Sequence, residues 1–286
     1  FKDRLKRTKM PELPEVETVC LALSKILINS RVSNIEIFRK DLRWNIKDNL
    51  ERDLKQKTLK KPYRRGKYIL IPTSDEHILL LHLGMSGTVK IISEEYEVIK
   101  HDHVKFDIET KEKKIYSVIY NDPRRFGFID LLSKKDSKNH FLLKNIGVEP
   151  LGKSFTTEYI RKKITKRSTC IKNILMDQSI IAGIGNIYAS EILYKAKINP
   201  LRSVNNLNQN DLKNIINATK FILNKSISVG GTSIRNHLQP DGKLGYFVQK
   251  LQVYGKAKQK CLECNNLITS MVINGRSTFF CNTCQK

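Results

Sequence analysis

The stretch Pro11-Glu12-Leu13-Pro14-Glu15 stands directly after Met10 and opens a long amphipathic pattern. A proline behind a methionine is a candidate first residue, because removal of the methionine would free a secondary amine. An α-amino group has a pKa of about 7.7 to 8.0, so part of it is unprotonated near neutral pH and can form a Schiff base with a carbonyl carbon. Glu12, its next neighbour, would then carry protons.

The same residues also fit an ordinary helix start. Proline costs nothing in the first turn of a helix, where its missing N–H has no partner to lose, and glutamate is common there. Taken alone, the stretch favours a helix start over a reaction centre. The apolar residues that follow recur at helical spacing and predict an amphipathic helix over residues 14–28; they are Val16, Val19, Cys20, Leu23, Ile26 and Leu27.

The composition of the 286 residues indicates a globular protein with a polyanionic partner. The chain is 40% hydrophobic and 28% charged, and its net charge is +24. This imbalance favours nucleic acid as the partner, although a lysine-rich genome would also raise the charge. An anionic membrane is less favoured, because the helical patterns have core-facing stripes and no apolar run approaches the ~18 residues of a membrane span. We therefore expect no membrane partner.

Four of the six cysteines have the spacing of a structural zinc site, Cys261-x2-Cys264-x16-Cys281-x2-Cys284. Between the two pairs, Asn274-Gly275 separates two β-rich runs, which is the signal of a type I′ hairpin. The sequence therefore predicts one structural zinc ion at the base of a two-stranded finger. Arg276 would lie near the tip of that finger.

The remaining cysteines, Cys20 and Cys170, are isolated. Residues 1–10 have no apolar core and no small-residue cleavage site, so they do not resemble a secretory signal. Paired cysteines without a secretory signal fit a metal better than disulfides. We therefore expect a cytoplasmic protein with reduced thiols.

Residues 31–132 consist of short runs that alternate in polarity or are fully apolar, which predicts a two-layer antiparallel β-structure. Glycines, cations and aromatic residues are concentrated in the loops between these runs, at residues 64–67, 84–87, 101–103 and 122–127. The predicted strands are residues 32–38, 68–71, 77–83, 89–92, 104–108, 115–120 and 126–132.

Helical periodicity returns beyond a boundary at residues 144–156, which contain glycine, proline and serine. The turn Gly183-Ile184-Gly185-Asn186 opens one helix and offers backbone N–H groups to a phosphate, although a tight helix connection has the same pattern. Residues 232–246 are polar and glycine-rich and predict a loop. The predicted helices are residues 157–164, 170–176, 186 to about 197, and 210–228, the last ended by Gly230-Gly231.

Taken together, these motifs resemble those of the bacterial formamidopyrimidine-DNA glycosylase family, the oxidised-purine branch related to endonuclease VIII. The resemblance spans residues 10–286. Leu13 fits the purine branch, because endonuclease VIII carries glycine at the corresponding position. The motifs are PELPEVET at 11–18, HLGMSG at 82–87, KHDH at 100–103, DPRRFG at 122–127, GIGNIYASE at 183–191, GYF at 245–247, QVYG at 252–255 and the terminal cysteine finger.

The resemblance implies an α+β fold with three parts. These are an N-terminal antiparallel β-sandwich flanked by helices, a C-terminal helix-two-turns-helix domain, and a β-hairpin four-cysteine zinc finger. It also implies damaged double-stranded DNA as the partner, bound in the cleft between the domains, and we expect a monomer. The implied limits are an extension at 1–10, the catalytic sandwich at 11–143, a linker at 144–156, the helix-two-turns-helix domain at 157–231, a lesion-capping loop at 232–246 and the finger at 247–286.

The resemblance further implies a role for each matching residue in base excision repair. The Pro11 amine would attack C1′ of the damaged nucleotide and expel the base, with Glu12 as proton donor. Lys67 would serve β-elimination and Arg276 δ-elimination, so that the strand is cut. Glu15 would line the lesion pocket. The implied DNA contacts are His101, Arg124, Arg167 and Asn186, and the implied wedge into the duplex is Met85, Arg124 and Phe126.

Residues 1–10 depart from the family pattern, because a proline nitrogen inside a peptide chain cannot form a Schiff base. Our hypothesis is that translation starts at Met10. If the extension persists, the chain would be a non-catalytic protein that binds DNA lesions. An oxidised-pyrimidine glycosylase of the endonuclease VIII type is the second alternative.

Overall fold

The computed structural model describes residues 10–231 and 250–286. Most of the expected extension at 1–10 and the whole of the expected capping loop at 232–246 lie outside the described residues. The described part of the chain divides into two compact units. The first comprises residues 10–144 with 230–231, and the second comprises residues 145–229 with 250–286.

Helix α1 (Leu13–Leu27) begins one residue before the predicted helix and has Glu12 as its N-cap. Pro14 occupies its first turn, where proline is tolerated because the N–H groups there have no intrahelical partner. The predicted apolar stripe is buried, including Val19 and Leu23. Burial of this stripe fixes the start of α1 on the first unit.

Two four-stranded antiparallel sheets form the body of the first unit. Neighbouring strands of both sheets pair in antiparallel register throughout. The first sheet has the order β1 (Arg31–Ile37), β6 (Asp102–Glu109), β7 (Ile115–Asn121) and β5 (Thr88–Ile92), and the second has the order β2 (Tyr63–Arg65), β3 (Tyr68–Pro72), β4 (His77–His82) and β8 (Phe128–Ser133).

The main core contains side chains from both sheets and from α1. Strand β4 is buried on both of its faces: Leu79 and Leu81 belong to this core, whereas Ile78 and Leu80 belong to a second cluster with Phe128. A strand covered on both faces has no solvent side to keep polar, which explains its unbroken apolar run.

Strand β2 was not predicted, because Arg64 and Arg65 had been placed in a loop. Arg64 is accommodated in the strand since its Nε donates to Glu17 Oε2 of α1 at 2.7 Å. Helices α2 (Leu50–Leu54) and α3 (Lys134–Ser137) were also not predicted and are at most five residues long.

The limits of β6 and β8 also differ from the prediction. Strand β6 already includes Asp102 and His103, whereas β8 begins at Phe128, so Phe126 remains in the preceding loop. The buried Asp102 carboxylate is tolerated because it accepts hydrogen bonds from the Tyr96 hydroxyl at 2.9 Å and from the Asn121 side chain at 2.8 Å.

The second unit is helical and ends in a hairpin. Residues of α6 (Asn186–Ala196) are buried on nearly all sides, and the Tyr188 hydroxyl of this helix lies 2.6 Å from Ser226 Oγ of α7 (Gln209–Ser228). The predicted linker contributes a bridge from Val148 to Ile181 and thus packs on this unit. Its elements are α4 (Thr157–Ile164), α5 (Ile171–Met176), α6 (Asn186–Ala196), α7 (Gln209–Ser228), β9 (Thr269–Ile273) and β10 (Arg276–Phe280).

The fold is therefore the α+β combination expected from the sequence: antiparallel sheets with helices first, then helices, then a four-cysteine hairpin. Within residues 10–231 and 250–286, none of the helices combines the length and apolar character needed to cross a bilayer.

Candidate functional site

The predicted site residues Pro11, Glu12 and Glu15 lie at the start of α1. Glu12 and Glu15 are each only 3% exposed, and the Glu12 N–H donates to Glu15 Oε2 at 2.9 Å. The Glu12 carboxylate accepts the Glu15 N–H in return, which completes a capping box. Gly231 also packs here, with φ +79°, and a Cβ on it would lie 3.0 Å from Glu15 Oε1. Two buried carboxylates therefore lie within one helical turn of Pro11.

The β2–β3 turn carries Lys67 and is fastened to α1. Arg64 is 7% exposed in its side chain, binds Glu17 of α1 and donates from Nη1 to the Gly66 carbonyl at 2.9 Å. Gly66 has φ +58°, a conformation that glycine adopts without cost. The Arg64–Glu17 pair thereby fixes the turn with Lys67 relative to the helix that begins after Pro11.

Three of the four predicted loops of the first unit meet at Asp122, which is buried. Its Oδ2 accepts the Gly127 N–H at 2.8 Å, and its Oδ1 accepts the Ser86 hydroxyl at 2.5 Å. The Asp122 N–H donates to the His101 carbonyl at 3.1 Å. No role of its own was predicted for Asp122, yet it holds these three loops together.

The expected wedge trio lies on two of these loops. Met85 is half-buried, Phe126 is 41% exposed, and the Arg124 guanidinium lies 4.8 Å from the Phe126 ring centroid. The loops touch through their backbones, since a Cβ on Gly84 would lie 2.3 Å from the Gly127 nitrogen. A planar cation and an apolar ring are thus presented side by side to solvent.

A cavity of about 740 Å³ opens beside this trio. Met85, Arg124 and Phe126 line it together with Met10. This volume falls within the range of roughly 300 to 1,000 Å³ seen for small-molecule sites. The further lining residues are Asp41, Leu42, Arg43, His82, Gly84 and Arg125.

His82 forms part of the cavity wall and is neutral. It stacks on Phe128 and packs at a tilt against Tyr68, with ring centroids 5.4 and 4.8 Å away, and its Nδ1 accepts the Gly84 N–H at 3.1 Å. Burial, together with the positive charges of Lys67 and Arg43, lowers the pKa of His82 to about 4. The proton of the neutral ring is therefore on Nε2.

We expect His82 to make the first unit less stable in mild acid. Its pKa is about 4 in the folded protein and about 6.5 when unfolded, so between these values the unfolded chain binds the extra proton. The free energy of unfolding should fall as the pH drops from 6.5 towards 4, by about 2 kcal/mol at pH 5. Urea unfolding at pH 7 and pH 5 measures this difference.

The matched variant is His82→Gln, because a glutamine oxygen can still accept the Gly84 N–H but does not titrate. Its loss of stability between pH 7 and pH 5 should be smaller than that of the wild type by about 2 kcal/mol. An equal loss in both proteins would show that His82 is not the group that titrates.

The predicted DNA contacts His101 and Arg167 and the predicted catalytic residue Arg276 are spread over the two units. His101 is exposed in the first unit with φ +75°. Arg167 belongs to the second unit and pairs with Asp177 at 3.1 Å. Arg276 is exposed at the start of β10. The described contacts thus bring together Pro11, Glu12 and Glu15 at one place, and Met85, Arg124 and Phe126 at another.

The turn before α6 has the predicted form. Gln178 braces it, because its Oε1 accepts the Gly183 N–H at 2.8 Å and its Nε2 donates to the Ile184 carbonyl at 2.7 Å. Asn186 is the first residue of α6, and its Nδ2 donates to the Ser277 carbonyl of β10 at 2.8 Å. The side chain of Asn186 therefore connects the helix start to the hairpin.

Glu191 is a further site residue that the sequence did not single out. It is buried within α6, and its carboxylate accepts the N–H groups of Gln252, Val253 and Tyr254 at 2.8 to 3.0 Å. Burial raises its pKa, and the three N–H donors partly offset that rise. The only signal in the sequence was a carboxylate within an otherwise apolar helix.

The four cysteine sulfurs of the finger lie within 4.8 Å of one another. The Sγ distances are 3.8 Å from Cys261 to Cys284 and 3.4 Å from Cys264 to Cys281. Four sulfurs placed ~2.3 Å from a central zinc would be about 3.8 Å apart, so the cluster fits a closed tetrahedral metal site. Such a site stabilises structure and leaves no position for a reacting water.

The hairpin above this cluster has the predicted turn. Asn274 and Gly275 both have positive φ, +46° and +70°, as a type I′ turn requires.

The Tyr194 hydroxyl of α6 lies 3.1 Å from Cys261 Sγ. Burial raises the pKa of the Cys261 thiol, but hydrogen bonds from Tyr194, from the Cys264 N–H and from the Cys281 and Cys264 thiols outweigh it and lower the pKa to about 7. Cys261 is therefore readily available as a thiolate ligand.

Three family models match consecutive parts of the chain. The formamidopyrimidine-DNA glycosylase N-terminal domain matches residues 10–129, and the H2TH domain of the same enzymes matches residues 146–237. A zinc finger found in FPG and IleRS matches residues 258–286. These matches follow the order of the sheets, the helical unit and the cysteine hairpin.

Curated relatives and solved structures agree with these models. The formamidopyrimidine-DNA glycosylases of Rickettsia felis and Zymomonas mobilis are 42% and 43% identical, over 96% and 97% of this chain and 98% and 100% of their own. A Lactococcus lactis FPG mutant, solved in complex with DNA containing Fapy-dG, aligns with a TM-score of 0.88. It is 35% identical, over 96% of this chain and 100% of that one.

Proposed function

The chain belongs to the formamidopyrimidine-DNA glycosylase family, and from this premise we propose that it is a bifunctional DNA glycosylase and AP lyase acting on oxidised purines. Enzymes of this family are DNA glycosylases of base excision repair. The more specific parts of the proposal are that Pro11 is the nucleophile, that the enzyme also cleaves the strand, and that its lesions are oxidised purines. It is supported most by Pro11 and Glu12 at the buried start of α1.

In the proposed reaction the Pro11 nitrogen bonds to C1′ of the damaged nucleotide while the glycosidic bond breaks; the base leaves with the electron pair of that bond and takes up the proton that the nitrogen loses. Glu12 donates the proton that opens the sugar ring, and an iminium Schiff base results. Loss of a C2′ proton then expels the 3′ phosphate, assisted by Lys67, and a second elimination assisted by Arg276 expels the 5′ phosphate. The nitrogen must be free for this, so the proposal applies to the form whose first residue is Pro11.

The remaining predicted residues would bind and distort the DNA. Met85, Arg124 and Phe126 would fill the space that the extruded nucleotide leaves, which offsets an unstacking cost of a few kcal/mol. Glu15 would line the pocket of the flipped base. His101, Arg167 and Asn186 would contact phosphates. The net charge of +24 supports such sequence-independent binding, which weakens as the salt concentration rises.

We further take the metal of the finger to be a single zinc ion, held by Cys261, Cys264, Cys281 and Cys284. It would supply rigidity to the hairpin and no chemistry to the reaction. The proposed working form is a monomer. Its catalytic part would be residues 11–143, its helix-two-turns-helix part residues 157–231 and its finger residues 247–286, with the segments 144–156 and 232–246 as linker and capping loop.

Borohydride trapping should test the Schiff base directly. Protein that begins at Pro11 is mixed with a duplex carrying 8-oxoguanine opposite cytosine, and sodium borohydride is added. We expect a covalent protein–DNA adduct, because borohydride reduces an iminium to a stable amine. Peptide mass spectrometry should locate the adduct on Pro11.

The 286-residue chain is the matched control, since its Pro11 nitrogen is part of a peptide bond. It should bind the duplex and form no adduct. Tight binding without an adduct in the form that begins at Pro11 would instead support a non-catalytic lesion-binding protein. Faster trapping on oxidised-pyrimidine duplexes than on 8-oxoguanine would favour an activity of the endonuclease VIII type.

A further inference from the structure

Lys172 is a buried lysine that none of the proposed steps uses. It lies on α5 and its side chain is only 1% exposed. A buried ammonium is costly unless it is hydrogen-bonded, because it loses its hydration. Its Nζ donates to Thr278 Oγ1 of β10 at 2.5 Å and lies 3.5 Å from the Ser277 carbonyl oxygen. The Lys172 ammonium therefore binds strand β10 of the finger hairpin to helix α5.

The contact continues from Thr278 to Arg276. An ammonium can only donate, so the Thr278 hydroxyl must accept from Lys172, and its own proton is directed elsewhere. That proton points to the Arg276 carbonyl oxygen, 3.3 Å away. Thr278 is fully buried, so water does not compete for these bonds. A directed chain of two hydrogen bonds thus runs from Lys172 through Thr278 to the backbone of Arg276.

The hairpin needs such support at this position. The metal site is at the far end of β10, five residues from Arg276, which is about 17 Å along a strand. Strand β9 is largely exposed, and a Cβ on Gly275 at the tip would have nothing within 4 Å. A two-stranded hairpin is marginally stable by itself. The cysteines therefore fix its base, whereas its tip depends on contacts made by β10.

A second donor from the same unit acts on the neighbouring residue. Asn186 Nδ2 donates to the Ser277 carbonyl at 2.8 Å, so Ser277 and Thr278 are both held by side chains of helices α5 and α6. Because side chains alternate along a strand, fixing these two residues fixes the direction in which Arg276 leaves the sheet.

We propose that Lys172 is a positioning residue for Arg276: through Thr278 it sets the backbone of the hairpin tip and so the placement of the guanidinium. The inference rests on the proposed role of Arg276 in the second elimination. It predicts a selective defect, in which base removal and the first elimination proceed normally and the second elimination fails.

The test compares Lys172→Met, which removes the ammonium at similar length, with the pair Thr278→Val and Thr278→Ser. Metal-loaded protein that begins at Pro11 is reacted in single turnover with a duplex containing an abasic site, and the β and δ products are separated on a gel. Lys172→Met and Thr278→Val should lower the δ-to-β ratio about tenfold, the loss expected for a hydrogen bond to a charged group. Thr278→Ser keeps the hydroxyl and should keep the ratio.

Two further measurements make the result specific. Borohydride trapping should be unchanged in all three variants, and Lys172→Met should cause no additional loss in an Arg276→Ala background. Amide hydrogen exchange at residues 274–278 should be faster in Lys172→Met and in Thr278→Val than in the wild type or in Thr278→Ser. If Lys172→Met does not fold, the Val and Ser variants of Thr278 decide the question.

A wild-type δ-to-β ratio in folded Lys172→Met or Thr278→Val would overturn the inference, as would an equal loss of both products. These results leave the proposed function intact, because wild-type trapping and cleavage are measured in the same experiment. Absence of any adduct with the wild type would instead refute the proposed function itself. In that case, unchanged hydrogen exchange in the variants would overturn the positioning role as well.

Discussion

Glu12→Gln should nearly abolish base excision while leaving binding to lesion-containing DNA intact. Glu12 is buried next to Pro11, and in the proposed reaction its carboxyl group donates a proton to the nucleotide that the Pro11 amine would attack. Glutamine keeps the size of the side chain and an oxygen that can accept the Glu15 N–H, but it cannot transfer a proton. Loss of general acid–base catalysis costs about 10²- to 10⁴-fold in rate, so single-turnover excision of 8-oxoguanine should fall by that factor.

The control is Glu36→Gln, which removes one negative charge from the same unit. Glu36 lies on β1 and pairs with Lys105 at 2.8 Å, away from α1. Its excision rate should equal that of the wild type, and all three proteins should bind the duplex equally in fluorescence anisotropy. Unchanged excision in Glu12→Gln would remove Glu12 from the catalytic assignment.

The features that the sequence predicted well are those encoded by neighbouring residues. Helix α1 follows from its apolar spacing and its proline, and the hairpin turn follows from Asn274-Gly275. The metal cluster follows from the spacing of its cysteines. In each case the interactions that decide the structure lie within a few residues of one another, or within a motif whose geometry is fixed by one ion.

The errors of the prediction share a different cause. Arg64 is found in a strand because Glu17, 47 residues earlier, neutralises it. Asp102 is found in a strand because Tyr96 and Asn121 satisfy its carboxylate. From sequence alone, a charged residue without a visible partner is predicted to lie in a loop. The partners of Arg64 and Asp102 become apparent only in the folded structure.

The candidate site shows the same division. Pro11, Glu12 and the cysteines were recognisable from their motifs, whereas Asp122, Lys172 and Glu191 had no assigned role. These three charged side chains are buried and hold backbone or hydroxyl groups of distant segments. Lys172 and Glu191 are charges among mostly apolar neighbours, and Asp122 belongs to the DPRRFG motif, but neither signal reveals what the charge contacts. Positioning residues are therefore harder to predict than the residues they position.

Loss of the metal should have the other large effect, because the finger has little else to stabilise it. Its core cluster consists mainly of Tyr194, Val253, Ile268 and the cysteines themselves. Structural zinc contributes about 10 to 16 kcal/mol in small zinc-finger peptides, which is as large as the whole stability of a typical domain. Cys281→Ser or a strong chelator should therefore unfold residues 258–286, seen as loss of amide protection there, while the sheets of the first unit stay protected.

Cys20→Ser is the matched control, since it also removes a buried thiol. Burial raises the pKa of Cys20 to about 12, so this thiol is neither a ligand nor reactive at neutral pH. The variant should retain one zinc per chain by atomic absorption and a protected finger, whereas Cys281→Ser should lose both. Because Arg276 lies on the same hairpin, the metal-free protein should also stop at the β-elimination product. Full zinc content and wild-type protection in Cys281→Ser would mean that packing on α6, and not the metal, holds the finger together.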